Sequence, residues 1–361
     1  MKIASIVGAR PNFIKLSPVS KELRKYFEEI VIHTGQHYDF EMDKIFFEQL
    51  GIPEPDYHLG VGSGNQGWQT GEMLKRIENV LIKEKPDVVS VFGDTNSTLA
   101  GALAAVKLHI PVAHIEAGLR SFDRRMPEEI NRILVDHCSD ILFCPTKVAV
   151  QNLRREGIEK GVYLTGDVMV DAIYQNIEVA ESKSKILEEL GLKKKNYVLA
   201  TVHRAENTDD LDRLRNIVEA FVEINDLVFP CHPRTEKFLK KYGLWSDLKK
   251  NTALIKPVGY LDMLVLEKYA KKIITDSGGV QKEAYIMKVP CITLRESTEW
   301  VETVEDGWNI LVGADKLKIK WAIKDFNPNT RNYEHKFGDG KASERISRTI
   351  LALSHKNGVC E

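Results

Sequence analysis

Three carboxylates stand where a predicted strand ends or a predicted helix begins in the first half of the chain. Asp94 closes the run VVSVFGD, Glu116 closes VAHIE, and Glu128 opens the helical run PEEINR. Carboxylates at the ends of buried strands can act as general acids and bases on a substrate held beyond those ends. The sequence therefore predicts a proton-transfer site that contains Asp94, Glu116 and Glu128.

Two of these carboxylates also fit structural roles. Asp94 is placed to cap a helix at 96–106, and Glu128 lies in a first helical turn, where acidic side chains stabilise the helix dipole. Arg132 follows Glu128 by four residues, so the two side chains share one helix face. A carboxylate that closes a buried strand, as Glu116 does, is harder to explain by structure alone.

A second group of residues is suited to an anionic ligand. The run TDSGG places Ser277, Gly278 and Gly279 between a predicted strand and a predicted helix. Backbone N–H groups and the dipole at a helix N-terminus favour phosphate. Glu283, about one turn further on, is placed to accept hydrogen bonds from ribose hydroxyls. The same run also fits a plain glycine turn with Ser or Asp as the helix cap.

Two more candidates follow the first strand of each half. Arg10, in GARPNFIK, stands where a helix begins and is favourable there for phosphate, although a surface arginine fits equally well. His203, in TVHRAEN, ends a strand and is compatible with a catalytic or a structural role. His232, in CHPR, is a weaker case of the same kind.

Metal and dinucleotide sites are not indicated. No Cys/His run has zinc spacing, and His33 and His37 lack the helical HExxH frame. The glycine turn after the first strand is not GxGxxG, and neither a GxSxG elbow nor a GxxxxGK[ST] loop occurs. We therefore expect neither a metal ion nor another cofactor.

The elements that must position these residues are parallel strands. Short runs rich in Val, Ile and Phe alternate with longer helical runs, a pattern typical of βαβ units. The predicted strands are 3–7, 29–33, 88–92, 112–116, 141–144, 162–165, 197–202, 227–231, 253–255, 272–275, 291–294 and 309–312. Helices are predicted at 70–84, 127–136 and 343–353, with a polar helical connector at 168–195.

The length of 361 residues exceeds the usual size of a single core, so two α/β domains are expected. We predict a Rossmann-like N-terminal domain at 1–170 and a Rossmann-like C-terminal domain at 171–342. The final helix, about 343–361, is expected to pack back on the N-terminal domain. Ligands bind beyond the carboxyl ends of such strands, so the expected site is a cleft that both domains face.

Composition excludes several classes of protein. A formal charge of −1 and a pI near 6.8 argue against an extended nucleic-acid surface. No apolar run approaches the ~20 residues that cross a bilayer, and the first residues read as a strand and not as a signal peptide. Five cysteines without a CxxC pair fit reduced thiols. We expect a soluble, cytoplasmic protein that binds neither nucleic acid nor membrane.

The motifs together resemble those of the non-hydrolysing UDP-N-acetylglucosamine 2-epimerases. They are, in the family's order, GARPNFIK, HTGQHYDFEM, FGDTNSTLAG, HIEAGLRS, MPEEINR, TVHRAEN and TDSGGVQKEA. The match runs almost end to end. It implies a GT-B type fold, in which two doubly wound parallel-sheet domains face a central cleft. It also implies a UDP-activated amino sugar as substrate, no cofactor, and a homodimer.

The resemblance assigns roles to individual positions. The family's catalytic positions fall on Asp94, Glu116, Glu128 and His203. Its UDP-binding positions fall on Arg10, Ser277, Gly278, Gly279 and Glu283. Lys15 and Arg132 match further residues of the active cleft. Gln36 and His37 lie where bacterial members bind a second, activating UDP-N-acetylglucosamine molecule.

One stretch departs from the family's usual pattern and concerns the substrate. Where the family usually has TERPE, this chain has RESTEWVE at 295–302, followed by GWN at 307–309. That version resembles the branch acting on UDP-2,3-diacetamido-2,3-dideoxyglucuronate. We expect this substrate, converted to its manno epimer, with UDP-N-acetylglucosamine as the alternative.

The extra carboxylate of a uronate needs a cationic or multiply hydrogen-bonded partner, and the expected substrate therefore directs attention to unassigned arginines. Candidates near the motifs are Arg124, Arg125 and Arg204. Trp300 and Trp308 fit a pocket around the 3-acetamido group and a place in the core equally well.

The expected reaction follows from the chemistry of the sugar. C2 has no adjacent carbonyl, so its proton becomes acidic only after the C1–O bond to UDP breaks. One of the carboxylates then removes the proton to give a 2-acetamidoglucal, and re-addition of UDP with protonation on the other face gives the epimer. A GT-B glycosyltransferase, a hydrolysing epimerase and a non-catalytic UDP-sugar sensor are the rival interpretations.

Overall fold

A computed structural model of the chain describes residues 1–36, 47, 48, 50–328 and 333–356. It divides into two compact units. The first unit comprises Met1–Gln175 and Lys336–Glu361, and the second comprises Asn176–His335. Each unit is built around a parallel sheet of its own.

The strands of both sheets are short and mostly buried. In chain order they are β1 Lys2–Val7, β2 Glu28–His33, β3 Tyr57–His58, β4 Val88–Phe92, β5 Val112–Ile115, β6 Ile141–Cys144, β7 Val162–Leu164, β8 Val198–Thr201, β9 Leu227–Pro230, β10 Ala253–Ile255, β11 Lys272–Thr275, β12 Cys291–Thr293 and β13 Asn309–Leu311. Strands covered by helices on both faces read as nearly continuous apolar runs, which is why the sequence identified most of them.

Within the described residues, helices connect most of the successive strands in both units. They are α1 Arg10–Leu23, α2 Gln66–Glu84, α3 Asn96–Lys107, α4 Pro127–Cys138, α5 Lys147–Arg155, α6 Val168–Lys183, α7 Ile186–Glu189, α8 Ala205–Thr208, α9 Leu211–Phe221, α10 Pro233–Lys241, α11 Trp245–Asn251, α12 Tyr260–Tyr269, α13 Gly278–Ile286, α14 Val301–Glu305, α15 Lys316–Asp325 and α16 Ala342–Lys356. The helix α16 belongs to the first unit, where the Ser347 hydroxyl donates to the carbonyl of Glu22 on α1 at 3.1 Å.

The strand order of each sheet places a reversal next to the predicted site residues. In the described part of the first unit the order is β3-β2-β1-β4-β5-β6-β7, and in the second it is β10-β9-β8-β11-β12-β13. The winding direction reverses between β1 and β4 in one sheet and between β8 and β11 in the other. Ligands of doubly wound sheets bind beyond the carboxyl ends of the strands at such a reversal.

The expected α/β class, with a doubly wound parallel sheet in each unit, is confirmed. The expected connector at 168–195 forms α6 and α7. The strand β3 was not predicted, because two residues carry too little pattern to identify. β5 ends at Ile115, so Glu116 lies just beyond the strand and not within it.

Two further expectations concern thiols and membranes. The cysteines Cys138, Cys144, Cys231 and Cys291 are free thiols, and Cys360 lies outside the described residues. Across the described part of the chain, none of the helices combines the length and the apolar character that a membrane span requires.

Candidate functional site

The loops that follow β1 and β4 are tied together by Asn12. Its side-chain oxygen accepts hydrogen bonds from the backbone N–H groups of Gly8 at 3.3 Å and Ala9 at 3.2 Å. Its amide nitrogen donates to the carbonyl of Phe92, the last residue of β4, at 2.8 Å. The start of α1, which carries Arg10 and Lys15, is thereby fixed against the strand end that carries Asp94.

Lys15 and Glu116 form a buried ion pair. The Lys15 ammonium donates a hydrogen bond to a carboxylate oxygen of Glu116, and the two residues are 8% and 7% exposed. Glu116 has a φ of 77°, a left-handed conformation that costs a non-glycine residue about 1–2 kcal/mol. Strain of this kind persists where the surrounding structure determines it, and here it points the carboxylate at Lys15.

Gly93 allows this pair to sit against the β4 loop. Its φ is 64°, and a Cβ at this position would lie 2.6 Å from the Lys15 ammonium nitrogen and 3.1 Å from a carboxylate oxygen of Glu116. A side chain there would displace the pair. The glycine that precedes Asp94 is therefore required by the close approach of Lys15 and Glu116.

Asp94 is held by Arg132 and does not cap a helix. The Arg132 guanidinium donates to one Asp94 carboxylate oxygen at 2.7 and 3.0 Å. The N-cap of α3 is Thr95, whose hydroxyl accepts from the backbone of Thr98. The capping alternative for Asp94 is therefore wrong. The Asn131 side chain adds a hydrogen bond to the Asp94 carbonyl at 2.8 Å.

Glu129, which sequence reasoning missed, supports Arg132. It is 1% exposed and accepts a hydrogen bond from Arg132 at 2.9 Å. The same carboxylate accepts from the backbone and hydroxyl of Ser121 and from the backbone of Phe122, all at 2.8–2.9 Å. Arg132 thus pairs with Glu129, three residues away. Glu128, which was expected to share a helix face with Arg132, forms no hydrogen bond or ion pair with it. Adjacent glutamates in a first helical turn give no sequence signal that separates these roles.

Glu128 differs from the other two predicted carboxylates in having no cation beside it. It is half-buried at the start of α4, and it takes part in no hydrogen bond or ion pair with any described residue. The N-cap position of α4 is Met126. The carboxylate is free to meet a ligand, although its place in the first turn also suits the helix dipole.

A buried network lies beneath Asp94 and Glu116, and the sequence did not reveal it. His114 on β5 is 0% exposed and places one ring nitrogen 2.8 Å from the Gly93 carbonyl and the other 2.7 Å from Asp136 of α4. Burial acts to raise the pKa of Asp136, but hydrogen bonds and charge from His114 and Arg120 outweigh it and hold that pKa below its ordinary value. The β4 loop, β5 and α4 are locked together in this way.

In the second unit, Asp276 connects the ends of β8 and β11. It is 0% exposed and accepts hydrogen bonds from the backbone N–H groups of His203 at 3.1 Å and Arg204 at 3.0 Å. The Asn207 side chain adds a third donor at 3.0 Å. The His203 ring is partly exposed, with one nitrogen 3.8 Å from an Asp276 oxygen. Asp276 therefore fixes the loop that presents His203.

The predicted phosphate-binding run forms the N-terminus of α13. Ser277 is the N-cap residue and its hydroxyl accepts from the backbone of Val280 at 3.5 Å, so the capping role considered for it is observed. A Cβ on Gly278 would lie 2.1 Å from a Glu299 oxygen, whereas one on Gly279 would meet nothing closer than 3.8 Å. Packing against Glu299 therefore already explains Gly278, and the exposed Gly279 leaves the helix end open.

Glu283 lies on α13 with 6% of its surface exposed. Burial raises its pKa to about 7, against the opposing charge of Lys282 and a hydrogen bond from Glu267. Arg10 and Lys15 belong to the first unit, so the predicted UDP-binding residues are divided between the units. Arg10 and Lys15 both lie on α1. The other predicted UDP-binding residues lie on α13 or cap it, namely Ser277, Gly278, Gly279 and Glu283.

His232 and His33 each accept a hydrogen bond from a nearby backbone N–H group. The His232 ring accepts a hydrogen bond from the backbone of Arg234 at 3.1 Å and caps α10. His33 accepts from the backbone of Gly35 at 2.9 Å, and His37 lies outside the described residues. Within the described ranges no cluster of His, Cys, Asp and Glu is arranged to hold a metal ion.

Gln36, expected near a second UDP-sugar site, is bound to the first unit's own α3. Its side-chain oxygen accepts from the backbone and hydroxyl of Ser97 at 3.2 and 2.7 Å.

The tryptophans of the departing stretch are core residues. Trp300 and Trp308 are each 4% exposed. Trp300 is covered by the Lys282 ammonium, 4.2 Å from the ring centre, and Trp308 packs edge-on against Tyr333. Of the two roles considered for these tryptophans, the structure supports packing.

Comparisons with known proteins all identify relatives from one family of epimerases. A model of the family UDP-N-acetylglucosamine 2-epimerase matches residues 21–351. A Methanococcus maripaludis protein named UDP-N-acetylglucosamine 2-epimerase homolog is 63% identical, covering 98% of this chain and 100% of that one. The UDP-2,3-diacetamido-2,3-dideoxy-D-glucuronate 2-epimerase of Pseudomonas aeruginosa is 50% identical, covering 98% and 100%.

Solved structures are similar over nearly the whole chain, and one of them holds bound nucleotides. It is the crystal structure of Methanocaldococcus jannaschii UDP-GlcNAc 2-epimerase in complex with UDP-GlcNAc and UDP, which has a TM-score of 0.92 and 53% identity. The match covers 98% of this chain and 100% of that one. The expected GT-B type of fold is confirmed.

Proposed function

We propose that this chain, which belongs to the UDP-N-acetylglucosamine 2-epimerase family, inverts C2 of a UDP-2-acetamido sugar by elimination and re-addition of UDP. Enzymes of this kind are isomerases of carbohydrates, and the chain is a UDP-sugar 2-epimerase.

The single observation that carries the proposed route is the arrangement around Gly93. Two carboxylates, Asp94 and Glu116, are each paired with a cation, and Glu128 has no cation partner among the described residues. Inversion by removal and return of a proton needs acid and base groups on both faces of the ring. Carboxylates in different electrostatic surroundings are suited to different protonation roles.

The proton transfer follows from these surroundings. Glu116 and Asp94 lie against the ammonium of Lys15 and the guanidinium of Arg132, and they are the candidate proton acceptors in this proposal. Once the C1–O bond has broken, one of them takes the C2 proton and the glucal forms. Protonation of C2 on the opposite face by another member of the set, with attack of UDP on C1, gives the epimer.

The second unit supplies contacts for the leaving group in this proposal. The open N-terminus of α13, at Ser277, Gly278 and Gly279, offers backbone donors and a helix dipole to the diphosphate. Glu283 accepts hydrogen bonds from the ribose hydroxyls. His203, whose backbone is fixed by Asp276, adds a hydrogen-bond donor for the leaving group. Arg10 of the first unit neutralises further charge as UDP departs.

A conversion assay without any acceptor tests the proposed class. The protein is incubated with a UDP-2-acetamido sugar alone, and the anomeric and H2 signals are followed by NMR. We expect the UDP-linked manno epimer to accumulate to equilibrium without stoichiometric release of UDP or of free sugar. A requirement for an acceptor would indicate a glycosyltransferase, release of free sugar and UDP a hydrolysing epimerase, and binding without turnover a sensor.

For the sugar itself, we propose UDP-2,3-diacetamido-2,3-dideoxyglucuronate. Support comes from the Pseudomonas aeruginosa relative and from two arginines beside the matched motifs. Arg124 is exposed and Arg204 is half-buried, and neither side chain bonds to any described residue. Each is therefore available to a substrate carboxylate. Arg125, in contrast, is occupied by Asp123 at 2.8 and 2.9 Å.

UDP-N-acetylglucosamine is the second candidate sugar. It is favoured by the 53% identical Methanocaldococcus jannaschii structure, which holds UDP-GlcNAc, and by the burial of Trp300 and Trp308, which removes one argument for a modified sugar pocket. A homodimer, which the family resemblance implies, is a further part of the proposal and is checked by light scattering.

A further inference from the structure

Glu267, on α12 of the second unit, is a buried acidic residue that the proposed reaction does not use. It is 0% exposed. Neither of its side-chain oxygens accepts a hydrogen bond from an N–H or hydroxyl group of the described residues. Burying an ionised carboxylate without a partner costs several kcal/mol, so this group calls for an explanation.

The group that faces Glu267 is the carboxyl of Glu283 on α13. Two carboxyl groups can form a hydrogen bond only if one of them carries a proton, because ionised carboxylates are acceptors only. Burial, followed by the charge of Glu283, raises the pKa of Glu267 well above its ordinary value. Burial also raises the pKa of Glu283, to about 7, but the charge of Lys282 opposes that rise. Glu267 has no such cation, and no N–H or hydroxyl group of the described residues donates to it, so Glu267 is the member that keeps its proton.

The other ionisable groups around this pair come from each element packed on it. Tyr260 of α12 is buried, and burial raises its pKa well above the ordinary value. Cys291 of β12 is likewise buried, which raises its pKa to about 12. Both are neutral near pH 7. Lys282 of α13 supplies a positive charge that favours ionised Glu283.

We propose that Glu267 is a positioning residue for Glu283. The carboxyl O–H of Glu267 donates a hydrogen bond to the Glu283 carboxylate and orients it. The oriented Glu283 carboxylate then accepts hydrogen bonds from the ribose hydroxyls. This inference rests on the proposed function, in which Glu283 receives the ribose. Hydroxyl groups donate to a carboxylate, so the nucleotide binds the ionised form of Glu283. Binding must then release a proton wherever the free Glu283 is still protonated.

The direction of the pH dependence follows from this linkage. Below about pH 7, free Glu283 is increasingly protonated, and nucleotide affinity falls. Above that range Glu283 is already ionised and affinity reaches a plateau. Loss of the Glu267 donor removes a hydrogen bond that stabilises the carboxylate, so the fall should begin at a higher pH.

Titration calorimetry of the full chain with UDP tests the proposal. Affinity and proton release are measured from about pH 6 to about pH 9 in two buffers of different ionisation enthalpy. The variants are Glu267→Gln, which keeps an N–H donor but cannot ionise, and Glu267→Leu, which has no donor. Glu302→Gln is the matched control, a second buried glutamate of the same unit. Protons released by UDP itself are common to all variants and cancel in the comparison.

We expect Glu267→Gln and Glu302→Gln to stay within about twofold of the unmodified chain at each pH. Glu267→Leu should bind about tenfold more weakly near pH 7, recover toward pH 9, and release more protons on binding near pH 8, because a hydrogen bond to a charged group has been lost. A pH profile of Glu267→Leu that matches the unmodified chain overturns the proposal. So does a Glu267→Gln variant as impaired as Glu267→Leu.

The unmodified chain provides a test that does not depend on any variant folding. If it binds UDP with no release of protons beyond that of UDP itself between about pH 6 and about pH 8, Glu267 and Glu283 do not act as proposed. If it fails to bind UDP at all, the proposed function is wrong instead. The two failures are therefore distinguishable.

Discussion

Lys15 and Glu116 lie 101 residues apart in the chain and meet as a buried ion pair at the reversal point of the first sheet. The helix that carries Lys15 follows β1, and Glu116 follows β5, with the loop after β4 between them. Glu116 adopts a strained backbone conformation to make this contact, and Gly93 leaves the space for it. A strained, buried pair at this place is expected to be sensitive to substitution.

Removing the charge of Glu116 should therefore reduce turnover. We expect Glu116→Gln and Lys15→Met each to lower kcat by about 10²-fold or more, the usual scale for loss of a general acid or base. UDP affinity, measured by calorimetry, should change little, because the pair serves the sugar. The exposed Glu159, which takes part in no hydrogen bond or ion pair with a described residue, provides the control Glu159→Gln. Near-normal turnover in Glu116→Gln would remove Glu116 from the catalytic set.

Glu129 should matter for stability and for turnover. Its buried carboxylate accepts from Arg132 and from the 121–122 backbone, so Glu129→Gln replaces acceptors with a misplaced N–H group. We expect the free energy of unfolding to fall by about 1–3 kcal/mol and kcat to fall as well, because Arg132 loses the support that orients it on Asp94. Urea denaturation and steady-state kinetics measure the two effects. Unchanged kcat in a destabilised variant would limit Glu129 to the fold.

The two glycines of α13 should respond differently to alanine. In Gly278→Ala the new Cβ would lie 2.1 Å from a Glu299 oxygen, and Glu299 is itself held by Arg295 at 2.9 Å. Either the Glu299 carboxylate leaves Arg295 or the helix N-terminus shifts, so we expect UDP to bind about tenfold or more weakly. Gly279→Ala has room for its Cβ and should show the smaller loss. Equal effects of the two substitutions on the calorimetric affinity would contradict this assignment.

The elimination route predicts solvent exchange at C2. In D2O, the proton removed by a carboxylate can exchange before it is returned, so the epimer should acquire one deuterium at C2. Mass spectrometry and the loss of the H2 NMR signal measure this. Prolonged incubation should also release traces of UDP and 2-acetamidoglucal. Full retention of protium through many turnovers, or a keto-sugar intermediate, would rule out the proposed route.

The backbone of this protein could be predicted from sequence more fully than its contacts. β4 and β6 occur at the predicted residues, because strands buried on both faces leave a continuous apolar run. The start of α2 at Gln66 was missed by four residues, since exposed glycine and polar residues there carry no helical period. Local pattern therefore identifies elements better than it identifies their ends.

In the candidate site, the residues at strand ends could be predicted from the sequence, and the residues that support them could not. Asp94 and Glu116 were identifiable because each follows a buried strand, and resemblance added Lys15. Their supporting residues were not identifiable, because His114 meets Asp136, 22 residues away, only once α4 packs on the sheet. The pairing of Glu267 with Glu283 depends on helix packing in the same manner. Contacts that form only on folding have no periodic signature in the chain.

Substrate preference is the last prediction and follows from charge. A uronate carries a carboxylate at C6, and burying an additional anion requires a cation or several donors. Arg124 and Arg204 have side chains that bond to no described residue, whereas Arg125 is already engaged by Asp123. We expect kcat/KM for UDP-2,3-diacetamido-2,3-dideoxyglucuronate to exceed that for UDP-N-acetylglucosamine by at least about tenfold, or about 1.4 kcal/mol.

The arginines make that preference testable within one chain. Arg124→Ala or Arg204→Ala should reduce the ratio of the two kcat/KM values toward one by lowering the value for the uronate, since only that sugar has the additional carboxylate. UDP affinity should be unchanged in whichever variant lacks the arginine that binds the C6 carboxylate, because UDP has no such group. Arg125→Ala, which removes a neighbouring cation of the same kind, should leave the ratio intact. An equal or higher kcat/KM on UDP-N-acetylglucosamine in the unmodified chain would assign the protein to that sugar instead.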